Sequence, residues 1–255
     1  MKRLSEIEEL KNLRFFVKFV KKEHVDMLLD GELYMNTLEH YIVQENTTKV
    51  RGQGDKNEGS LVVEVQNIQI FDSKTKKLIG SAKKGIHRET YSGLKKIPVF
   101  CFTIFNSNDF LVTKEKEELL EFSLDIDKED IKKICDNFGE VAVVLPQDFC
   151  ELVIEEAENQ NLDSRIKSVT YHDYSILDSK RMNLFEEKSP DIVTWKDDFF
   201  KYQREIRFVI YEQHEQAKIF KMGSIREHAQ IVNTETFLKN GKFQIRFEAI
   251  ADKCN

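Results

Sequence analysis

The chain is 255 residues long, 40% hydrophobic with nineteen Phe, 33% charged, and carries a net charge of −6. That length and Phe content allow a sizeable packed core and exclude a disordered chain. Mild acidity argues against the broad basic face of a non-specific nucleic-acid binder, while leaving local basic patches open. No run approaches the roughly 18 apolar residues of a membrane span, and the N-terminus has no apolar signal region. Cys101, Cys135, Cys150 and Cys254 lie far apart, without a Cys-x-x-Cys pair or zinc spacing. The expectation is a soluble, cytoplasmic protein with reduced thiols and no membrane partner.

In chain order, residues 12–20 read as a strand. Residues 21–30 follow as a short helix, with Val25, Leu28 and Leu29 on one side and Gly31 as its stop. Residues 33–37 form a second strand, followed by a helical turn through Leu38 and Tyr41. The Gly-rich polar segment 51–59 is a loop. Residues 61–71 alternate as a strand and pair with 77–82 across a turn. Residues 99–105 are apolar on both faces, which predicts a central strand covered on both sides. The charged stretch 113–133 reads as mainly helical. A buried strand at 140–145 stops at Pro146, and an amphipathic helix covers 147–158. Strands are expected at 165–172, 203–211, 217–221 and 243–249, with helices near 176–187 and 225–238. Three Pro, ten Gly and no low-complexity linker favour one continuous domain over residues 1–255. Strands and helices without a βαβ repeat predict an α+β fold, a mixed or antiparallel sheet flanked by helices.

Two polar clusters stand out. In the strand at 203–211, Gln203, Glu205 and Arg207 share one face at period two, opposite Ile206, Phe208 and Ile210. That face is either a solvated ion-pair surface or the wall of a site. A fixed carboxylate with an amide two residues before it can hold a sugar and stabilise a developing oxocarbenium ion. The second cluster is the loop 51–59, where Gly52, Gly54 and Gly59 accompany Arg51, Asp55, Lys56, Asn57 and Glu58. Either it approaches a ligand closely or it is a mobile surface loop. Its spacing is neither an EF-hand nor a Walker loop. Tyr34, Asn36 and Thr37 at the end of the second strand can line the same cleft. The six His show no metal-ligand spacing, and there is no Gly-x-Ser-x-Gly elbow. No metal site is assigned.

The first strand, the helix closing on Leu28-Leu29-Asp30-Gly31 and the strand Leu33-Tyr34-Met35-Asn36-Thr37 resemble the N-terminal half of an ADP-ribosyltransferase-type fold. Gln203-x-Glu205 sits late in the chain, where that superfamily carries its catalytic Glu. The chain also resembles, more closely, a bacterial family of unknown function whose members read Asn-Asp-Pro-x-Glu, then Cys-Phe-Ser, then Tyr-x-x-Glu-x-Arg. The counterparts here are Asp55 and Glu58, then Cys101-Phe102-Thr103, then Tyr202 to Arg207. The resemblance implies an ADP-ribosyltransferase-like protein that binds NAD as substrate and transfers ADP-ribose or hydrolyses NAD, with its acceptor, protein or nucleic acid, left open. It implies Glu205 on the ribose 2'-hydroxyl and at the oxocarbenium-like transition state, and Gln203 orienting ribose or acceptor. Tyr34 would stack on nicotinamide and Arg14 or Lys18 would contact phosphate. Asn36, Thr37, Asp55, Glu58, Tyr202 and Arg207 would complete the nucleotide site. Two alternatives remain. One is a metal-dependent nuclease or phosphoesterase using Asp55, Glu58 and Glu205. The other is a non-catalytic sensor or interaction protein of a phage or host-defence system. On the catalytic reading the loop 51–59 is a mobile cover that orders on ligand binding, and Glu205→Gln barely moves the melting temperature.

Overall fold

The computed structural model describes residues 2–116 and 119–246. β1 (Arg14–Val20) leads to the short helix α1 (Val25–Leu29). Gly31 closes that helix in the left-handed region at φ 81°. A Cβ there would lie 2.4 Å from the Met222 and Gly223 carbonyl oxygens, so only glycine lets the chain turn into β2 (Glu32–Thr37). α2 (Leu38–Thr48) follows directly, well beyond the single turn expected. β3 (Ser60–Phe71) and β4 (Leu78–Thr90) form a two-stranded sheet of their own. The one-turn α3 (Ser92–Lys95) precedes β5 (Pro98–Asn106).

Residues 113–133 correct the helical expectation. They contribute to a hairpin, β6 (Phe110–Lys116) and β7 (Leu119–Leu124), and only then to α4 (Lys128–Asn137). The exposed charges mask a period-two pattern: Phe110 and Val112 pair with Leu124 and Phe122 across the hairpin. Phe110 and Phe122 reach the core, and burying those rings outweighs the helical propensity of the Lys and Glu residues between them. Asp127 caps α4, accepting from the Glu129 and Asp130 N–H groups.

The chain continues through β8 (Val141–Val144), α5 (Phe149–Asn159), β9 (Ser164–Ser168), β10 (Thr170–His172), α6 (Ser179–Glu186) and β11 (Trp195–Asp197). The last part comprises β12 (Glu205–Ile210), β13 (Lys218–Lys221), β14 (Gln230–Asn233), α7 (Thr234–Asn240) and β15 (Lys242–Arg246). Two boundaries differ from expectation. Gln203 ends a 3-10 segment (Asp198–Gln203) and Arg204 is left-handed at φ 49°, so the strand starts at Glu205. Residues 230–233 are a strand, not helix, because Asn233 caps α7 by accepting from the Thr236 N–H. Positions 247–249 of the expected last strand lie outside the described residues.

The class is therefore α+β, with antiparallel sheets and helices. β5 is the centre of the main sheet. On one edge β12 pairs with residues 99–103 of β5, and β9 pairs beyond β12. On the other edge β1 pairs with residues 103–106, while β2 reaches only Pro98 and Val99. Residues 100–102 of β5 thus have no ladder partner on that edge, and the sheet splits between β1 and β2. β8 and β14 extend the β1 side, and β13 extends β2.

Three apolar clusters hold the split sheet. The first packs Phe16, Phe100, Phe102, Ile206, Phe208 and Ile210 against Phe149 and Val153 of α5. The second joins Phe105, Phe110, Phe122 and Phe237 on the opposite face. The third gathers Leu38, Val99, Phe185, Trp195 and Val209. β5 contributes to all three, as its continuous apolar run predicts. Among the described residues, no helix is long and apolar enough to cross a membrane.

Candidate functional site

A pocket of about 560 Å³ opens where the sheet splits, within the ~300–1,000 Å³ range of small-molecule sites. Its walls include Lys18 from β1, Tyr34 and Asn36 from β2, His40, Tyr41 and Gln44 from α2, and Phe100 to Thr103 from β5. Gln203, Glu205, Arg207, Lys196 and Glu58 form its floor.

The floor is a buried network of charges. The Arg207 guanidinium grips Glu58 bidentately, with Nη1 to Oε2 at 2.9 Å and Nη2 to Oε1 at 2.7 Å. Its Nε donates to Glu205 Oε1 at 2.5 Å, and Nη1 also reaches the Val193 carbonyl oxygen. The Lys196 ammonium donates to Glu205 Oε2 at 2.9 Å and Gln203 Oε1 at 2.8 Å, and lies 3.3 Å from Glu58 Oε1. Gln203 Nε2 donates to the Gly52 carbonyl oxygen at 2.7 Å. Two carboxylates thus meet two cations, and all four side chains are at least 94% buried.

Burial alone would raise the Glu205 carboxyl, but Arg207 and Lys196 outweigh it and hold the group far below its ordinary range. Burial would likewise lower the Lys196 amine, yet Glu205 and Glu58 raise it. Glu205 therefore stays ionised and is unsuited to shuttling a proton. Each of its oxygens takes one cation and keeps a lone pair for a ligand hydroxyl. Cys101 is no nucleophile: burial, then Glu205, pushes its thiol up to about 12.

Lys18 differs from Arg207 and Lys196, the cations of the floor. It has no carboxylate within ion-pair distance among the described residues. Its ammonium donates to the Cys101 carbonyl oxygen at 2.5 Å and lies 4.6 Å from the Phe100 ring centroid. The split of the sheet explains this contact, since no neighbouring strand satisfies that edge of β5. Burial lowers the Lys18 amine, opposed by Cys101 and Glu205. With no carboxylate to neutralise it, this part-buried cation makes the pocket receptive to an anionic group.

The two polar clusters of the sequence meet here, through Arg207–Glu58 and Gln203–Gly52. The loop 51–59 is nevertheless built in, contrary to the mobile cover expected. Gly52, Gly54, Asp55, Asn57, Glu58 and Gly59 are all buried. A Cβ on Gly54 would come within 2.7 Å of the Tyr41 carbonyl oxygen and Glu45 nitrogen, so this glycine serves close packing on α2 rather than mobility. Arg51 pins the near end, pairing with Asp197 at 2.9 Å and covering the Phe199 ring at 4.3 Å.

The other candidates divide. Lys18, Tyr34, Asn36, Glu58, Gln203, Glu205 and Arg207 line the pocket; Arg14, Thr37, Asp55 and Tyr202 do not. Arg14 is an exposed residue at the far end of β1, paired with Asn106, so it is not the phosphate contact. Thr37 is buried against Pro98, and Tyr202 is turned inward with its hydroxyl on the Gly52 carbonyl at 3.2 Å. Tyr34 is 51% exposed at the mouth, free to stack. Lys196 was missed by sequence reasoning. Its signal in the sequence is slight, since the lysine follows Trp195 but is itself followed by Asp197 and Asp198 as on any solvated segment. Tyr171 was missed too: its hydroxyl accepts the Glu205 N–H at 2.8 Å and fixes the start of β12.

The metal-dependent alternative needs Asp55, Glu58 and Glu205 around one cation. Arg207 and Lys196 already occupy that place on Glu58 and Glu205. Among the described residues, no group of three His, Cys, Asp or Glu is placed to hold a metal. Cys101, Cys135 and Cys150 are free thiols, and Cys254 lies outside the described residues.

Asp55 sits behind the floor, fully buried. One oxygen accepts the Asn57 N–H at 2.9 Å, and Oδ2 has no partner among the described residues. Burial, then Glu58, raises its carboxyl to about 7. An acid raised on folding contributes most at low pH, and that contribution is lost as pH climbs from the ordinary carboxylate range through about 7. Relative to wild type, Asp55→Asn should therefore gain about 3 kcal/mol in unfolding free energy between pH 5 and pH 8. Urea unfolding at the two pH values checks this. A constant difference would mean that Asp55 ionises freely.

Comparison with protein-family models, with curated proteins and with solved structures gives no match.

Proposed function

We propose that this is an ADP-ribosyltransferase-like protein whose pocket binds a nucleotide such as NAD and transfers ADP-ribose or hydrolyses NAD. The observation that carries the reading is the juxtaposition, in one pocket, of a fixed carboxylate on the floor, Glu205, and an uncompensated Lys18 on the wall. Glu205 accepts a ribose hydroxyl and stabilises positive charge developing at the anomeric carbon. Lys18 takes the phosphates. Tyr34, half out of the pocket, stacks on nicotinamide. Gln203 is a positioning residue, since both ends of its amide are engaged by Lys196 and Gly52.

In the reaction the bond between the ribose anomeric carbon and the nicotinamide nitrogen breaks, and its electron pair leaves with nicotinamide. Water or an acceptor oxygen forms the new bond to that carbon and releases a proton. No metal takes part in this scheme.

The test is incubation with NAD, following nicotinamide release with and without chelator, alongside melting curves in NAD and ADP-ribose. Release that persists in chelator, with ligand-raised melting temperatures, supports the reading. Raised melting without release would instead make the protein a nucleotide sensor. Absence of both effects would end the nucleotide reading.

A further inference from the structure

The β3–β4 ribbon is rooted at the site and points away from it. Its base follows Glu58 directly and is tied down: Ser60 Oγ lies 2.6 Å from Thr90 Oγ1, and the buried Arg181 donates to the Val62 carbonyl oxygen at 2.6 Å. Ser60, Leu61 and Val62 are buried, whereas no residue from Glu64 outward is. At about 3.3 Å per residue, the free part of each strand spans roughly 25 Å.

Charge on this ribbon runs against that of the chain. Residues 60–90 hold six Lys or Arg and three acids, net +3, in a protein of net −6. Within the ribbon, the His87 imidazole lies 3.6 Å from the Glu89 carboxylate. No carboxylate among the described residues comes within ion-pair distance of Lys74, Lys76, Lys77, Lys83, Lys84 or Arg88, all of them exposed. Asp72 is spent on the turn, accepting from the Lys74 and Thr75 backbone N–H groups and the Thr75 hydroxyl. Behind that turn, Phe71, Leu78 and Ile79 are 52%, 55% and 66% exposed.

The geometry points to the β3–β4 ribbon as an arm that inserts into a groove of duplex DNA, its lysines on the phosphates and Phe71, Leu78 and Ile79 against sugars and bases. Two strands 4.7–4.9 Å apart fit a major groove about 12 Å wide, and the unneutralised lysines complement a polyanion. A lipid surface fits less well. Lys74 and Lys76 lie beyond the apolar trio and would have to enter hydrocarbon first. A protein docked along the ribbon's apolar face also fits less well, because the ribbon covers part of that face itself. A Cβ on Gly85 would meet Ile68 Cδ1 at 2.6 Å, so Ile68 lies over the opposite strand. This inference is independent of the nucleotide pocket.

The test is fluorescence anisotropy with a labelled 20-base-pair DNA duplex across a salt series, using the full chain. Lys74→Glu/Lys76→Glu/Lys77→Glu should weaken binding at least tenfold and lower the slope of log K against log salt by about three. Lys128→Glu/Lys132→Glu, exposed on α4, should leave both unchanged. Phe71→Ser/Leu78→Ser should weaken binding without altering the slope. The tip is exposed, so circular dichroism melting of these variants should match wild type. The inference is overturned if wild type does not bind duplex DNA in 50 mM salt, or if the tip triple variant binds as wild type does. Preference for duplex RNA, binding to anionic vesicles in place of DNA, or a ribbon-dependent dimer with no DNA affinity would overturn it equally.

Discussion

Replacing Arg207 with Met is expected to destabilise the protein by about 3–5 kcal/mol, enough to unfold a marginal domain. The guanidinium serves both buried carboxylates of the floor, Glu58 through two bonds and Glu205 through one. Removing it leaves Lys196 as the single cation between two largely buried acids. The cost comes from stranding those acids, since a buried ion pair as a whole contributes little net stability. The double variant Glu58→Met/Arg207→Met should therefore recover part of the loss, with a coupling of roughly 1–3 kcal/mol in the cycle. Equilibrium urea unfolding of the four proteins measures it. Additive effects, or a loss below about 1 kcal/mol for Arg207→Met, would mean that the floor is hydrated and only loosely paired.

On the proposed NAD chemistry, Glu205→Gln is expected to lower NAD turnover by about 10²–10³-fold while NAD binding changes far less, because the charge would act mainly as positive charge develops on the ribose. The structure adds a second consequence that the strand pattern alone does not carry. Glu205 is 6% exposed and balances Arg207 and Lys196, so the neutral amide also reduces stability. Turnover must be compared well below the melting temperature of the variant, with binding titrated separately. A variant that binds and turns over NAD as wild type does, yet melts early, would reduce Glu205 to a structural ion-pair partner.

These two effects meet in one residue because fold and site share the same strand, and that sharing is only partly legible in sequence. Residues 99–105 reveal themselves as the central strand by an apolar run on both faces, interrupted at Thr103 alone, as a strand covered on both sides needs. Glu205 and Arg207 reveal themselves as sharing one polar face by alternating with Ile206, Phe208 and Ile210, but the alternation leaves open whether that face is solvated or the wall of a site. The local pattern gives no partner for either charge. Arg207 finds Glu58 149 residues away, and Lys196 sits on the three-residue strand β11, too short for periodicity to mark. The loop 51–59 misleads for a related reason. Glycines permit mobility and close packing alike, and only the approach of α2 to Gly54 decides between them. Arg14 and Lys18 share a face of β1 and look interchangeable, until the split of the sheet places Lys18 in the pocket and leaves Arg14 outside. The hairpin at 110–124 was hidden because its exposed face is as charged as a solvated helix.

The most direct measurement is a crystal structure of the protein with ADP-ribose. A ribose hydroxyl within about 2.6–3.2 Å of the Glu205 carboxylate, with the pyrophosphate on Lys18 and the loop 51–59 unmoved, is the predicted result. ADP-ribose bound elsewhere on the protein, or a pocket left empty at concentrations that saturate binding in solution, would contradict it.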